Sequence, residues 1–256
     1  MFVIGFELEF ISVYNRDEIR ALLKTHFPKY KNKIKVEEDV TIRSNAKMPG
    51  RHEIITPPLP QKESMELLTD LFAFLNNNKC AANKTTGFHV NVSFEEKSLN
   101  KWLNPLHVVD LLDYKAILQK WDREKILYCR PFDFYFDIIW KRVKMLYKPK
   151  NWADPYVMME YSAEEVQRLS EIKFISMVSD CSEEHSDKYT RKAYDVWDVG
   201  QGKHICMNLH YLKQRGYIEY RMIGGAKYLT SFDDVKEDID TILKTMQEAL
   251  KRSMDE

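Results

Sequence analysis

Apolar and polar positions alternate residue by residue at the start of the chain. Across Phe2 to Val13, the segment Gly5-Phe-Glu-Leu-Glu-Phe10 puts Phe6, Leu8 and Phe10 on one side of an extended strand. Glu7 and Glu9 fall on the other side, about 7 Å apart at ~3.3 Å per residue. Gly87-Phe-His-Val-Asn-Val-Ser-Phe94 repeats the design, with His89, Asn91 and Ser93 opposed to Phe88, Val90, Val92 and Phe94. Tyr217-Ile-Glu-Tyr-Arg-Met222 shows it again, with Glu219 and Arg221 opposed to Ile218, Tyr220 and Met222.

Elsewhere the period changes. Met65, Leu68, Phe72 and Leu75 recur at helical spacing and predict a helix from about Lys62 to Asn76. Further helices are predicted from about Arg16 to Thr25 and Ser231 to Lys251, and strands at Lys33 to Glu37 and Arg51 to Thr56. Thr56-Pro-Pro-Leu-Pro60 then breaks the pattern, because consecutive prolines cannot donate to a ladder. Ile205 to Leu212 reads as a strand that turns through Lys213-Gln-Arg-Gly216 into the strand at Tyr217. With Leu212 set opposite Tyr217, His210 pairs with Glu219 and Asn208 with Arg221.

From about residue 99 to 200 the chain is helical and aromatic-rich, with Trp102, Trp121, Trp140, Trp152 and Trp197 read as core residues. This block looks inserted between two halves of a sheet. The expectation is one α+β domain over residues 1–256, mainly an antiparallel sheet with helices on one face and a helical insertion at 99–200.

Composition narrows the partners. The 256 residues are 44% hydrophobic, enough for a sizeable core, and Lys+Arg and Asp+Glu total 39 each. With no net field, a nucleic-acid partner has no support from overall charge, although Arg43 to Arg51, Lys141 to Lys144 and Lys188 to Lys192 are local basic clusters. Cys80, Cys129, Cys181 and Cys206 are scattered without a CxxC pair, as expected of reduced thiols in a cytoplasmic protein. No apolar run reaches the ~18 residues of a membrane span, and Glu7 and Glu9 interrupt the first apolar stretch, against a signal peptide.

The polar faces carry the chemistry. Glu7, Glu9, Glu53, His89 and Glu219 supply four carboxylates and one imidazole, all from strands. A plain antiparallel sheet with one wet face would also tolerate scattered Glu and His. Several uncompensated carboxylates on neighbouring strands repel one another, however, and a divalent cation is the simplest remedy. Oxygen ligands with a single imidazole suit Mg²⁺ or Mn²⁺ better than zinc, and such sites commonly serve phosphate-bearing substrates.

Glu7-Leu-Glu9, Glu53 before Thr56-Pro-Pro-Leu59, Gly87-Phe-His-Val-Asn-Val-Ser93, and Asn208 followed by Ile218-Glu-Tyr-Arg221 together resemble the amidoligases. These are carboxylate-amine ligases of the glutamine synthetase and glutamate-cysteine ligase superfamily. The resemblance covers residues 1 to about 95 and about 203 to 225, leaving the middle block unmatched. It implies a sheet of the glutamine synthetase catalytic type that binds ATP and Mg²⁺ (or Mn²⁺). Glu7, His89 and Glu219 would hold one ion, and Glu9 and Glu53 the other. Arg221 would contact the transferred phosphoryl group, and Asn91, Ser93 and Asn208 would face the nucleotide.

Asp39 stands where amidoligases often show Asp-Gly-Ser and is a weaker candidate. Two positions depart from the expected pattern: Asn91 replaces the second histidine many relatives carry, and Tyr217 stands where glutamine synthetase has another arginine. Arg215, or Lys203 with His204, would supply the missing charge. The implied reaction is attack of a small-molecule or peptide carboxylate on the γ-phosphate of ATP, then attack of an amine on the acyl phosphate, with His210 as candidate base. The middle block would serve as lid or acceptor pocket, or as scaffold. Competing readings are a two-metal nuclease or phosphohydrolase and an inactive nucleotide-binding module.

Overall fold

The computed structural model describes residues 1–94, 99–126, 129–131 and 205–255. In chain order these form β1 (Phe2–Ser12), α1 (Arg16–His26), β2 (Lys35–Glu38), β3 (Gly50–Ile55), β4 (Leu59–Pro60), α2 (Gln61–Asn77) and β5 (Gly87–Phe94). Three short helices follow, α3 (Leu99–Trp102), α4 (Pro105–Leu111) and α5 (Tyr114–Lys120). The C-terminal part contributes β6 (Met207–Asn208), α6 (His210–Arg215), β7 (Tyr217–Gly224) and α7 (Phe232–Asp255). The sheet runs β2-β3-β1-β5-β7-β6, with β4 also against β1, and every pairing of these strands is antiparallel. The fold is α+β.

The alternation read from the sequence sorts the sheet into two faces. Phe6, Leu8, Phe10, Phe88, Val90, Val92, Ile218, Tyr220 and Met222 are essentially inaccessible and join one hydrophobic core. Each contributes about 1.5–3 kcal/mol by leaving water. α2 lies on this face: Ser64 Oγ donates to the Ile4 carbonyl at 2.7 Å, and the Phe72 ring meets Phe88 edge-on. α7 presents Val235, Ile239, Ile242, Met246 and Ala249 to the core, and the Tyr220 hydroxyl donates to Met246 Sδ. α5 is fastened to α7 through Asp238, which accepts from Trp121 Nε1 at 2.5 Å and from Lys120 Nζ at 3.1 Å. α1 begins with a capping box, in which Asn15 accepts from Asp17 and Glu18 amides while Glu18 accepts from the Asn15 amide.

Three expectations need correction. The strand expected over Ile205 to Leu212 is only Met207–Asn208, after which the chain turns into α6. Leu209 and Leu212, both buried, sit three residues apart, a helical spacing, and Gly216 at φ 69° closes the helix in the left-handed conformation, its amide donating to the Leu212 carbonyl. The hairpin register therefore fails: Asn208 faces Glu219 and Met207 faces Tyr220, while His210 opens a helix instead of facing Glu219. Second, the proline segment is not entirely outside the sheet, because Leu59–Pro60 pairs with Val3 and Ile4. Third, Trp102 is 57% exposed, although Trp121 is core as expected.

β7 also carries an irregularity. Phe88 faces Ile223 and Val90 faces Tyr220, so Arg221 and Met222 together oppose His89. Such a bulge bends the strand and re-aims side chains. Trp140, Trp152, Trp197, Cys181, Lys203, His204, the basic clusters at 141–144 and 188–192, and most of the expected insertion lie outside the described residues. Cys80, Cys129 and Cys206 are buried, and none of them is in a disulfide among the described residues. No described helix is long and apolar enough to cross a membrane.

Candidate metal and nucleotide site

Backbone register brings the polar residues together across six strands. Glu7 on β1 faces His89 on β5, Glu9 on β1 faces Glu53 on β3, and Glu53 in turn faces Glu37 on the edge strand β2. Asn91 and Asn208 flank Glu219 from β5 and β6. The period of two turns all these side chains to the face opposite the core.

The His89 ring, 3% exposed, is the centre of the group. Its Nδ1 lies 2.9 Å from Glu7 Oε2 and 3.4 Å from Glu219 Oε1, and its Nε2 lies 3.4 Å from Glu9 Oε1. Glu7 Oε1 accepts from Asn91 Nδ2 at 2.9 Å. Glu219 accepts from Arg221 Nη1 at 2.7 Å and Asn208 Nδ2 at 2.9 Å. The Gly87 amide donates to Glu9 Oε2 at 2.5 Å. Glu9 is also fixed through its backbone, since the Tyr228 hydroxyl donates to its carbonyl.

Two neighbouring carboxyls are driven to opposite protonation states. Burial alone would raise Glu7, but the hydrogen bond and charge of His89, the Asn91 amide and Arg221 bring it down to about 2. Glu53 rises to about 9, first because it is buried, then because Glu7, Glu9 and Asp39 are close in charge and Glu7 shares a hydrogen bond with it. In the metal-free protein at neutral pH, Glu53 is thus a neutral acid beside an ionised Glu7. Burial works against the charge on Arg221, yet Glu219, Glu9 and Glu7 hold its proton more firmly than usual.

One oxygen from Glu7, one from Glu53 and one ring nitrogen of His89 all lie within 4.8 Å of one another, close enough to hold a single cation. This grouping cuts across the partition implied by the resemblance, which assigned Glu53 to Glu9 and kept Glu7 and His89 with Glu219. Glu219 and Glu9 lie next to the trio, each already held by donors.

The remaining candidates take more varied places. Ser93 Oγ donates to the Gly216 carbonyl at 2.6 Å, tying β5 to the start of β7. The Arg215 guanidinium lies 4.7 Å from the Tyr211 ring centre, and its charge acts on the Tyr217 hydroxyl. Burial and the Glu219 charge push Tyr217 up to about 12. Asp39 accepts from the Thr41 amide and hydroxyl, both at 2.7 Å, and its charge adds to the field on Glu53. The loop at Arg43 is pinned to the loop before β5, its amide donating to Thr85 Oγ1 and its carbonyl accepting from Asn83 Nδ2.

Sequence reading missed Glu37 and the Gly87 amide. Glu37 was visible as the polar position of a predicted strand, but nothing in one sequence says that this strand lies against β3. A backbone donor leaves no mark on the residue list at all.

The family model for a putative amidoligase enzyme matches residues 2–228. The chain belongs to the amidoligase family. The matched span runs through the middle block, so the resemblance is not confined to the two sheet-forming parts. No curated protein matches the sequence. As a family member the chain is an enzyme of the amide-bond-forming kind, a ligase.

Proposed function

We propose that this amidoligase joins a carboxylate to an amine at the expense of ATP, through an acyl phosphate, on a sheet of the glutamine synthetase type. The observation that carries the reading is the convergence of Glu7, Glu9, Glu53 and Glu219 on His89 within a family of amide-forming enzymes.

The donor set fits Mg²⁺ or Mn²⁺: hard carboxylate oxygens, one imidazole, and in Glu53 a buried carboxyl crowded by other carboxylates, whose charge a divalent cation would compensate. Glu7, Glu53 and His89 would hold one ion, with Glu9 and Glu219 the adjoining ligands for a second. Bound there, divalent cations neutralise phosphate oxygens and the charge that develops during phosphoryl transfer.

The chain's own groups do the rest. Arg221, held in place by Glu219, presents a fixed positive charge for the transferred phosphoryl group. Its Nε and Asn91 Oδ1 are buried polar atoms without a hydrogen-bond partner among the described residues, and a nucleotide phosphate and a hydroxyl or amino group would satisfy them. Arg215 and Ser93, at the β5–β7 end, would bound the nucleotide. The carboxylate and amine substrates are small molecules or peptides. His210, which starts α6, is no longer supported as the base by the register that suggested it.

Incubation of the protein with ATP, Mg²⁺ and a metabolite extract, followed by mass spectrometry, tests the reading. The expected result is ADP release together with a product formed by loss of water. Both disappear in Glu7→Gln and Glu219→Gln variants that retain their fold. Cleavage of phosphate esters or nucleic acid without ATP would replace this reading with a hydrolytic one.

A further inference from the structure

A second buried guanidinium lies just outside the carboxylate group. Arg123, in the turn after α5, is 3% exposed and forms no ion pair among the described residues. Its Nη1 donates to the Thr86 carbonyl at 2.7 Å, which also accepts from the Gly225 amide at 2.9 Å. Arg123 hydrogen-bonds Cys129 as well, and Cys129 Sγ donates to the Arg221 carbonyl. The Thr86 carbonyl and the Gly87 amide are the two ends of one peptide group, and that amide is the 2.5 Å donor to Glu9 Oε2. A buried cation and a buried carboxylate therefore grip opposite ends of the same peptide.

The surroundings are shaped for this guanidinium. Gly224 sits at φ 146°, and a Cβ there would come within 2.2 Å of Arg123 Nη1 and 2.8 Å of the Thr86 carbonyl. Only glycine leaves the space.

We propose that Arg123 is a positioning residue for Glu9: it polarises the Thr86–Gly87 peptide and locks the Gly87 N–H onto Glu9 Oε2, leaving Oε1 as the oxygen offered to a divalent cation. The inference rests on the proposed function insofar as Glu9 faces a metal. Its physical basis is that hydrogen bonds in series strengthen one another, and that both terminal partners here are charged groups shielded from water. A fixed positive charge one peptide away also offsets part of the repulsion among Glu9, Glu7 and Glu53. Outer groups of this kind typically change metal affinity by about 10–100-fold.

Arg123→Gln and Arg123→Lys provide the test, with two readouts besides activity: Mn²⁺ affinity by calorimetry, and the Gly87 amide proton shift by NMR in the metal-free protein. Arg123→Gln is expected to weaken Mn²⁺ by about 10-fold or more and to move the Gly87 proton upfield, with partial recovery of both in Arg123→Lys. A folded Arg123→Gln with Mn²⁺ affinity and Gly87 shift unchanged overturns the proposal. If that variant does not fold, Arg123→Met, which keeps the buried stem while removing the charge, carries the same two outcomes. Failure of the wild type to bind Mn²⁺ would instead defeat the metal reading, and the Gly87 shift would still decide whether Arg123 acts on that peptide.

Discussion

On β1, Phe6, Leu8 and Phe10 are buried in the core, while one residue away Glu7 and Glu9 face His89 and Glu53. The same backbone serves both faces. On the first, every side chain gains by leaving water, and neighbours reinforce one another. On the second, burial raises the energy of charges that also repel, and each carboxylate is tolerated only with a donor: Asn91 for Glu7, Gly87 for Glu9, Arg221 and Asn208 for Glu219. Glu53, buried and crowded by the charges of Glu7, Glu9 and Asp39, keeps a proton instead. Stability comes from one face, and the other holds groups whose arrangement makes sense for ligands.

Substitutions on the two faces should therefore separate cleanly. The largest effect is expected from Phe88→Ala, which should cost about 3–5 kcal/mol in urea unfolding, since its ring stacks on Phe6 and is fully buried. A loss under about 1 kcal/mol would mean that the core is not built as described.

Next in size is the pH response of the metal-free protein. Glu53, at about 9 in the folded state, retains a proton that the unfolded chain has already released above its ordinary 4.5. The native state then binds more protons across this window, and stability falls as pH rises from about 5 to about 9. Glu7 runs the other way: its folded value of about 2 gives stability that is present above 4.5 and lost as pH falls toward 2. Thermal melts should show the alkaline decline in the wild type and its loss in Glu53→Gln.

Cation binding sharpens the same contrast. Loading the site at neutral pH should release about one proton in total, measured by calorimetry in buffers of different ionisation heat, and Glu53→Gln should abolish most of that release. The smallest effect is expected from Asp39→Asn. Asp39 ranks behind Glu7 and Glu9 in raising Glu53, so its neutralisation should move the proton-release midpoint to lower pH by less than about one unit.

Much of this contrast was legible in the sequence, because a period of two assigns each residue of a strand to a face without reference to anything else. Phe6, Leu8 and Phe10 against Glu7 and Glu9, or Phe88 and Val90 against His89 and Asn91, needed no partner to be sorted correctly. Pairing is a different kind of information. The predicted match of Asn208 with Arg221 failed because His210–Arg215 is a helix closed by Gly216, and an extended reading of the same letters was locally acceptable. The bulge at Arg221 and Met222 was invisible for a similar reason, since it exists only relative to His89 on another strand. Arg123 was hidden most deeply. Its role depends on the space over Gly224 and on one peptide bond between Thr86 and Gly87, and neither feature has a sequence pattern of its own.

The strand order has a consequence for how the molecule comes into being. β5 stands between β1 and β7, yet β7 is some 120 positions later in the chain, as the Ser93 to Gly216 hydrogen bond with its separation of 123 illustrates. A nascent polypeptide can pair β1, β3 and β5 early, but Asn208, Glu219 and Arg221 emerge from the ribosome only after the whole middle block has been made. Until then, the acidic half waits without the Arg221 guanidinium.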